Sequence, residues 1–446
     1  MKNIMHLNAF LIHSPMNHTV GSWTHPDSTV GSSFAQPDMW QDIARTLERG
    51  KFDAIFFADQ LATYGNYRAR TDESLIHAVQ FPVHDPTLLI PMLAAVTERL
   101  GFAVTLSATY YPPYMAVRKL STLDHLTKGR IGWNIVTSVH IGEAHNMGWE
   151  NMIAHDARYE RADEYMQVCH KLWQSWEPDA VVGDKTSGVY VDPSKVHPIN
   201  HKGKWFSCPG ISPVSPSPQG YPVLFQAGAS GAGRDFCAKH AEAAFGVQLT
   251  PRAMKAYADD MRARVKNLGR DPASLKFIWG IQAIVGGTEE EARRKQRDMN
   301  ERVPVEGGLA LLSGHTSHDL SQYDLDQPVE DIEIEGIRGL FEIFTKMYQS
   351  GDLGRDRLTM REVGKIYGAT IGCPQLVGTP EQIADQMEAI LDETGGHGFN
   401  ITPSTMPGSI TEFVDTVVPV LQKRGLHRTE YTGQTLREHL RQEACE

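Results

Sequence analysis

The segment GASGAG at residues 228–233 is the stretch whose residue types most directly suggest chemistry. Small residues between a strand and a helix let backbone N–H groups and the positive end of the helix dipole approach an anion closely. We therefore interpret Gly228, Ser230 and Gly231 as part of a phosphate cradle. Two alternatives remain open here. One is a tightly packed strand-to-helix turn, and the other is the nucleophile elbow of a serine hydrolase, because 228–232 matches G-x-S-x-G except for its last glycine.

His155 and Tyr159 stand four residues apart in the polar run HDARYERADEY. If this run is helical, both side chains face the same side of the helix, one turn apart. Both could then donate hydrogen bonds to one anion. The alternative is that His155 belongs to a solvated first turn and that Tyr159 is a half-buried packing residue.

Polar residues also stand at the ends of three predicted strands, where an α/β barrel builds its active site. Asp59 ends the second strand, Ser107 ends the third and Asn134 lies on the fourth. Each of them could instead be only a turn former. No catalytic metal is predicted, because the sequence has no H-E-x-x-H motif, and its paired histidines lack carboxylates or cysteines at ligand spacing.

The composition limits the classes of partner. The 446 residues carry a net charge of −11 and are 41% hydrophobic, which is typical of a globular protein with a large core. No broad basic surface is available for nucleic acid or anionic lipid, and no apolar run approaches the ~18 residues of a membrane span. Five dispersed cysteines without a C-x-x-C pair indicate neither a disulfide framework nor a zinc cage, and they favour a cytoplasmic location.

The elements that must position these residues follow a repeated pattern. Amphipathic runs ending in glycine are followed directly by short β-rich runs, which predicts parallel strands joined by right-handed helical crossovers. Eight such units favour an α/β fold of the closed (β/α)8 TIM-barrel type over an open doubly wound sheet. The predicted strands are 4–12, 52–59, 102–108, 130–138, 222–228, 243–249, 276–286 and 398–403.

Two stretches interrupt the repeat within a chain that we interpret as a single barrel domain, residues 1–446. Residues 178–220 are rich in Pro, Gly and Ser and form a predicted excursion before the fifth strand. Residues 300–378 are the largest insertion, between the seventh and eighth strands, with a predicted helical run near 337–349. Because loops after barrel strands lie on the catalytic face, we expect the second insertion to form a lid over the active site.

Four long motifs resemble the bacterial luciferase-like flavin monooxygenases. They are residues 105–138, 155–165, 223–236 and 398–425. More narrowly, they are similar to the branch that contains nitrilotriacetate monooxygenase, dibenzothiophene sulfone monooxygenase and long-chain alkane monooxygenase. The resemblance runs nearly from end to end of the chain.

This resemblance implies a (β/α)8 barrel that uses reduced FMN supplied by a separate NAD(P)H-dependent flavin reductase. The flavin would react with O2 to give a peroxyflavin, which oxygenates a small organic substrate in a water-poor pocket. Catalytic roles would fall on His155 and Asn134. The flavin-contacting positions implied by the resemblance are Asp59, Ser107, Asn134, His155, Tyr159 and Ser230, next to the glycines of the cradle.

The substrate is predicted only as a class. The pocket candidates His18, Trp23, Tyr64 and Tyr110 are mostly aromatic, which favours an apolar, aromatic or sulfur-containing substrate over a polyanionic chelator. Arg68, Arg70 and Arg118 keep a carboxylate substrate open. We expect a homodimer or homotetramer. The alternatives are a serine hydrolase acting through Ser230 and a non-enzymatic flavin-binding protein.

Overall fold

Eight parallel strands close into a barrel, as the alternating pattern predicts. In the computed structural model, which describes residues 4–329 and 358–442, each barrel strand pairs with the next one along the chain and the eighth pairs with the first. All eight predicted strands are confirmed, with bounds that differ by a few residues. They are β1 His6–Ile12, β2 Ala54–Ala58, β3 Gly101–Ser107, β4 Ile131–Val136, β5 Val223–Gln226, β6 Ala243–Gly246, β7 Lys276–Val285 and β8 Gly398–Thr402.

Helices follow the strands around the outside of the barrel. Several begin at a residue whose side chain accepts a backbone N–H of the first turn, such as Asp85, Thr250 and Thr379, each followed by proline. The longer helices are α1 Pro37–Arg49, α2 Pro86–Ala94, α3 Pro113–Leu126, α4 His155–Trp173, α5 Gly231–His240, α6 Pro251–Asn267, α7 Glu289–Arg302, α8 Val305–Thr316, α9 Met360–Thr370 and α10 Pro380–Thr394. Among the described residues, no helix combines the length and apolar character needed to cross a membrane.

Shorter helical segments fill the loops and the end of the chain. They are Ser22–Thr24, Val30–Ser33, Tyr67–Ala69, Asp72–Ile76, Ile141–Asn146, Pro193–Lys195, Pro272–Ser274, Leu320–Gln322, Gly408–Glu412, Phe413–Val417, Val418–Lys423 and Leu436–Arg441. The last of these, Leu436–Arg441, packs Leu436 against the start of β3, where a Cβ at Gly101 would lie 2.7 Å from Leu436. It therefore covers the N-terminal end of the barrel.

Aromatic side chains fill the barrel interior. Phe56 of β2 packs its ring edge-on against Phe225 of β5 and Phe245 of β6, with ring centroids 5.7 and 5.3 Å apart. Phe10 of β1 completes the group, 4.8 Å from Phe245. Because the interior is packed, a ligand can be bound only at an end of the barrel. The C-terminal ends of the strands are therefore the place to look for the site.

The excursion at 178–220 consists of two small antiparallel ribbons. Val181–Asp184 pairs with Val189–Val191, and His201–Lys202 pairs with Ser207–Cys208. Glu164 of α4 holds the second ribbon, because its carboxylate accepts the backbone N–H groups of Trp205 and Phe206. The second ribbon is thus held against α4, whereas the first ribbon is mostly exposed to solvent.

The described part of the insertion at 300–378 is mainly helical. Helices α8 and α9 approach so closely that a Cβ at Gly308 would lie 1.9 Å from the carbonyl oxygen of Gly364. A short strand, Gln375–Gly378, pairs with the second half of β7, and the sequence did not predict it. The helical run predicted near 337–349 lies outside the described residues, and the lid role stays a prediction.

Candidate active site

The C-terminal ends of β3 and β4 hold a buried polar pair. Asn134 of β4 lies opposite Thr105 of β3, and its Nδ2 donates to the Thr105 hydroxyl at 2.8 Å. That hydroxyl donates in turn to the carbonyl oxygen of Phe57, also at 2.8 Å. The Asn134 amide is therefore fixed in orientation, and its Oδ1 is buried without a hydrogen-bond partner. A buried acceptor of this kind calls for a donor from a ligand.

Ser107 organises the loop that follows β3. Its hydroxyl lies 2.9 Å from that of Ser138, and its Oγ accepts the backbone N–H groups of Thr109 and Tyr110 at 3.2 and 3.4 Å. The structure thus places Ser107 beside the end of β4, two residues along β3 from Thr105. Ser107 and Asn134 therefore lie on the same edge of the site.

Asp59 follows β2 and carries an unusual carboxyl group. Burial raises its pKa to about 8, and the nearby carboxylate of Asp85 and that of Glu143 act in the same direction. The backbone N–H of Gln60 donates to Asp59 Oδ1 at 2.9 Å and offsets only part of this effect. Near pH 7 the carboxyl group is therefore mostly protonated and can donate a hydrogen bond to a ligand.

This pKa gives a testable pH dependence of stability. A carboxyl group whose pKa rises from 3.8 to about 8 on folding stabilises the protein below pH 3.8, and that contribution is lost as the pH rises to about 8. We expect the variant Asp59→Asn to gain more than about 1.4 kcal/mol in free energy of unfolding, relative to the wild type, between pH 5 and pH 9. Urea unfolding at both pH values measures the difference. Parallel stability curves for the two proteins would contradict the assignment.

The turn between β5 and α5 has the compact geometry of an anion cradle. Ser230 begins α5, and its Oγ accepts the backbone N–H of Gly233 at 3.1 Å. A Cβ at Gly228 would lie 2.4 Å from the Gly233 carbonyl oxygen, so only glycine fits there. The Tyr257 hydroxyl donates to the carbonyl oxygen of Gly228 at 2.9 Å. A Cβ built on Gly231 would meet no described atom within 4 Å, so the turn is open beside this residue.

The geometry of Ser230 does not support a hydrolase nucleophile. Its backbone has φ −72° and ψ 164°, which is ordinary extended conformation and not a strained elbow. Within 4–329 and 358–442, the hydrogen bond of its side chain is the one from Gly233, and no imidazole contacts it. The hydroxyl proton remains available for a ligand.

Tyr159 lies against this cradle, and His155 lies beside Tyr159. Both are on α4, as predicted, with ring centroids 5.3 Å apart. The Tyr159 ring packs on Phe236 of α5, and its hydroxyl would lie 2.8 Å from a Cβ at Gly233. The His155 side chain is 47% exposed and contacts Asp156. These contacts favour a binding position for His155 at the cradle, whereas Asn134 is the buried group at the strand ends.

A chain of hydrogen bonds forms a second wall of the barrel mouth. His18 Nδ1 accepts from the side-chain Nε2 of Gln80 at 3.0 Å, and the Tyr64 hydroxyl donates to the side-chain Oε1 of Gln80 at 3.0 Å. His315 Nε2 lies 2.9 Å from the Tyr64 hydroxyl, and its Nδ1 lies 2.6 Å from that of Tyr367. Because Gln80 accepts from Tyr64, the Tyr64 hydroxyl oxygen accepts from His315 Nε2, and His315 Nδ1 accepts from the Tyr367 hydroxyl. Because Gln80 donates to His18 Nδ1, the ring proton of His18 is on Nε2.

His18 Nε2 is the end of this chain of hydrogen bonds, and it bonds to no other residue that the structure describes. It is buried and has no hydrogen-bond partner. Burial lowers the pKa of His18 to about 3, so the ring is neutral and presents a single N–H donor. The sequence predicted His18 and Tyr64 but missed Gln80, His315 and Tyr367. No local pattern indicates these residues, because their partners are far away in the sequence.

The other two predicted substrate residues lie elsewhere. Trp23 is 41% exposed, and its indole N–H donates to the carbonyl oxygen of His77 at 3.3 Å. Its role in a substrate pocket therefore stays a prediction. Tyr110 packs against Trp149, with ring centroids 5.2 Å apart, next to the Ser107 loop. The structure thus groups Tyr110 with the strand-end residues.

These features fit FMN. The cradle at the start of α5 offers donors to a phosphate, the Asn134 oxygen offers an acceptor to a ring N–H, and Asp59 offers a donor. Asp59, Ser107, Asn134 and Ser230 all follow or end neighbouring strands, so one extended ligand can reach them. In the part of the chain that the structure describes, no three His, Cys, Asp or Glu side chains form a set that could hold a metal ion.

Comparison with known proteins agrees with this site. The model of the luciferase-like monooxygenase family matches residues 16–398. The chain is 42% identical over 441 residues to a dibenzothiophene-sulfone monooxygenase of Rhodococcus erythropolis (strain XP), covering 98% of this chain and 96% of that protein. It is 39% identical over 426 residues to nitrilotriacetate monooxygenase component A of Aminobacter aminovorans, covering 94% and 93% of the two chains.

A solved structure of similar sequence shows the same fold. The chain is 42% identical over 443 residues to the long-chain alkane monooxygenase of Geobacillus thermodenitrificans (strain NG80-2), covering 99% of this chain and 94% of that protein. A crystal structure of long-chain alkane monooxygenase superposes with a TM-score of 0.89 at 41% identity, covering 99% and 96% of the two chains. The resemblance found in the sequence motifs is confirmed: the chain belongs to the luciferase-like monooxygenase family.

Proposed function

We propose that this protein is a reduced-FMN-dependent monooxygenase that transfers one oxygen atom from O2 to a small organic substrate. The observation that carries the proposal is the buried, unpartnered Oδ1 of Asn134 at the barrel mouth. It lies on the strand next to the one that leads into the phosphate cradle of Ser230. Together with the family match, this pair of features supports a flavin whose phosphate and ring are held at opposite ends of one cleft.

Each group of residues has a separate task in this proposal. The cradle and Tyr159 bind the phosphate, while Asn134 and Asp59 orient the ring through one acceptor and one donor. The reduced flavin supplies the reaction with O2. Helix α8, which packs against α9 and against Tyr64 of the second wall, helps to keep water away, because oxygen transfer competes with hydrolytic loss of the activated oxygen.

The chain of hydrogen bonds that ends at His18 supports a neutral substrate with one hydrogen-bond acceptor. Its donors and acceptors are uncharged, and its surroundings are apolar, formed by Met16, Val20, Val79 and Leu309. Arg68 and Arg70 pair with Glu73 and Asp72, so neither is a free partner for a substrate carboxylate. Arg118 is exposed on α3. Sulfides, sulfones and ethers fit these constraints better than polyanionic chelators do.

A separate NAD(P)H-dependent reductase is part of the proposal. The sequence has a single phosphate cradle and no G-x-G-x-x-G fingerprint for a nicotinamide dinucleotide. A relative named component A fits a system of more than one protein. We also propose a cytoplasmic homodimer or homotetramer. Leu88 and Met92 of α2 and Met115 of α3 are exposed on neighbouring helices, as expected for an apolar face that pairs with a second copy.

The test is a reconstituted assay with FMN, NADH, a generic flavin reductase and a panel of neutral and carboxylated substrates. We expect an oxygenated product only when both proteins are present. We expect neutral substrates to be turned over in preference to carboxylated ones. NADH consumption by this chain alone would contradict the two-component proposal. Labelling of Ser230 by a fluorophosphonate would instead support the hydrolase, and FMN binding without product from any substrate would support a flavin-binding protein.

A further inference from the structure

Glu143 is a buried carboxylate at the barrel mouth that pairs with no cation. It is 7% exposed and lies on the short helix Ile141–Asn146, which follows β4. Within residues 4–329 and 358–442, no lysine, arginine or histidine forms an ion pair with it. Its Oε1 instead accepts the backbone N–H of Leu61 at 3.0 Å. Because burying a carboxylate costs free energy, a carboxylate kept here without a cation indicates a task other than charge pairing.

The same short helix holds the other backbone polar group of Leu61. Asn146 Nδ2 donates to the Leu61 carbonyl oxygen at 2.9 Å. The loop after β2 lies directly on this helix, because a Cβ at Gly142 would be 3.2 Å from the Cβ of Ala62. The side chains of Glu143 and Asn146 therefore replace the backbone partners that a strand neighbour would supply to Leu61. We call these two side chains the Leu61 clamp.

The clamp acts two residues from Asp59, and the residue between them is fixed as well. Gln60 Nε2 donates to the backbone carbonyl oxygen of Gln80, in the second wall of the mouth, at 2.8 Å. The backbone N–H of Gln60 donates to Asp59 Oδ1 at 2.9 Å. The chain that leaves β2 is thus held by Gln80 on one side and by Glu143 on the other. The direction of the Asp59 carboxyl group depends on both supports.

Glu143 also connects to the loops after β3 and β4. Burial raises the pKa of Glu143, and hydrogen bonding from the Leu61 N–H and the Ser138 hydroxyl opposes this effect. The Ser138 hydroxyl lies 2.9 Å from that of Ser107. Ser138 has φ 53°, in the left-handed region, which persists in a residue with a side chain only where its surroundings enforce it. One carboxylate thus joins the ends of three neighbouring strands.

We propose that Glu143 is a positioning residue, which holds the loops after β2 and β4 together and thereby sets the direction in which Asp59 presents its carboxyl group to the flavin. The inference rests on the proposed function, since it takes the ligand beside Asp59 to be a flavin. It gives Glu143 no contact with flavin or substrate, so the effect of Glu143 on flavin binding must pass through Asp59.

A double-mutant cycle tests this dependence on Asp59. Dissociation constants for FMN are measured by quenching of flavin fluorescence with the full-length protein, with Glu143→Ala, with Asp59→Ala and with both substitutions together. We expect Glu143→Ala to weaken FMN binding about three- to tenfold alone, and less than about twofold when residue 59 is already alanine. Glu143→Gln keeps an oxygen for the Leu61 N–H and is expected to retain most of the affinity. Equal weakening in both backgrounds, or no weakening in either, would overturn the proposal.

Glu48→Ala is the matched control. Glu48 Oε1 accepts the backbone N–H groups of Glu98, Arg99 and Leu100 between 2.6 and 3.0 Å, at the opposite end of the barrel. This carboxylate also holds a loop, but no residue that faces the flavin. Its loss is expected to change FMN affinity less than about twofold in either background. Asn146→Ala removes the exposed half of the clamp and is expected to show the same dependence on Asp59, which covers the case in which Glu143→Ala does not fold.

Hydrogen exchange of the flavin-free protein tests the clamp apart from the proposed function. Mass spectrometry of peptides that cover 59–66 should show about tenfold faster exchange in Glu143→Ala than in the wild type, and no change in Glu48→Ala. Unchanged exchange in Glu143→Ala would overturn the clamp, whatever the flavin result. If the wild type binds no FMN, the flavin role of Asp59 and Glu143 is overturned even where exchange confirms the clamp. If it binds FMN but yields no product in the reconstituted assay, the proposed function fails alone.

Discussion

Replacing Ser230 with alanine is expected to weaken FMN binding about ten- to hundredfold, and saturating FMN is expected to restore most of the turnover. The Ser230 Oγ accepts the backbone N–H of Gly233, which leaves its own proton free to donate to the phosphate. A hydrogen bond to a charged group contributes roughly 1.5 to 3 kcal/mol, which corresponds to that change in affinity. Turnover measured against FMN concentration, with reductase in excess, gives both quantities.

The same substitution removes a helix cap, so its control must remove a cap without touching the flavin. Thr435→Ala does this, because the Thr435 hydroxyl accepts the backbone N–H of Glu438 at the start of the helix Leu436–Arg441, at the opposite end of the barrel. Each variant is expected to lose about 1 kcal/mol of stability, and only Ser230→Ala to lose FMN affinity. If Ser230→Ala abolishes turnover at every FMN concentration, the hydroxyl is a nucleophile and not a phosphate ligand.

The sequence was sufficient to predict the barrel because its signals are local. A glycine such as Gly50 or Gly101 marks the junction between a helix and the next strand. The strands are buried on both faces, which produces continuous apolar runs in the sequence. The cradle was predictable for the same reason. Gly228 and Ser230 are two residues apart in the chain, and the constraints on them come from the turn that they form.

The wall that ends at His18 could not be predicted in the same way. Gln80 is 62 residues from His18, and His315 is 251 residues from Tyr64, so only the folded barrel brings them together. Trp23 lies in a short helical turn and is 41% exposed, and its role in a substrate pocket stays a prediction.

The opposite end of the barrel holds a buried ion pair that fixes the end of the chain. Asp53, at the start of β2, is fully buried and accepts the backbone N–H of Leu7 at 2.9 Å and Arg428 Nη2 at 2.8 Å. His6 Nδ1 lies 3.1 Å from the same carboxylate. Arg428 also donates to the carbonyl oxygen of His439, so it joins the C-terminal helix to the barrel floor. In (β/α)8 barrels the N-terminal face of the strands serves stability, and the C-terminal face serves catalysis.

Arg428→Met is therefore expected to lower the free energy of unfolding by about 3 to 5 kcal/mol while leaving FMN affinity unchanged. The cost arises because Asp53 remains buried without its cation. Arg424→Met is the control: its partner Asp385 is exposed, and a surface pair of this kind contributes only about 0 to 1 kcal/mol. The double variant Asp53→Asn with Arg428→Met should recover part of the loss, since no uncompensated charge is left.

The pH dependence of this loss identifies the ion pair as its cause. Arg428 and His6 lower the pKa of Asp53 in the folded protein, so its contribution is present above the unfolded value of about 4 and is lost as the pH falls below that value. Urea unfolding at pH 7 and pH 3 should then show a smaller gap between the wild type and Arg428→Met in acid. A gap of the same size at both pH values would mean that Arg428 acts through packing alone, because packing does not titrate with Asp53.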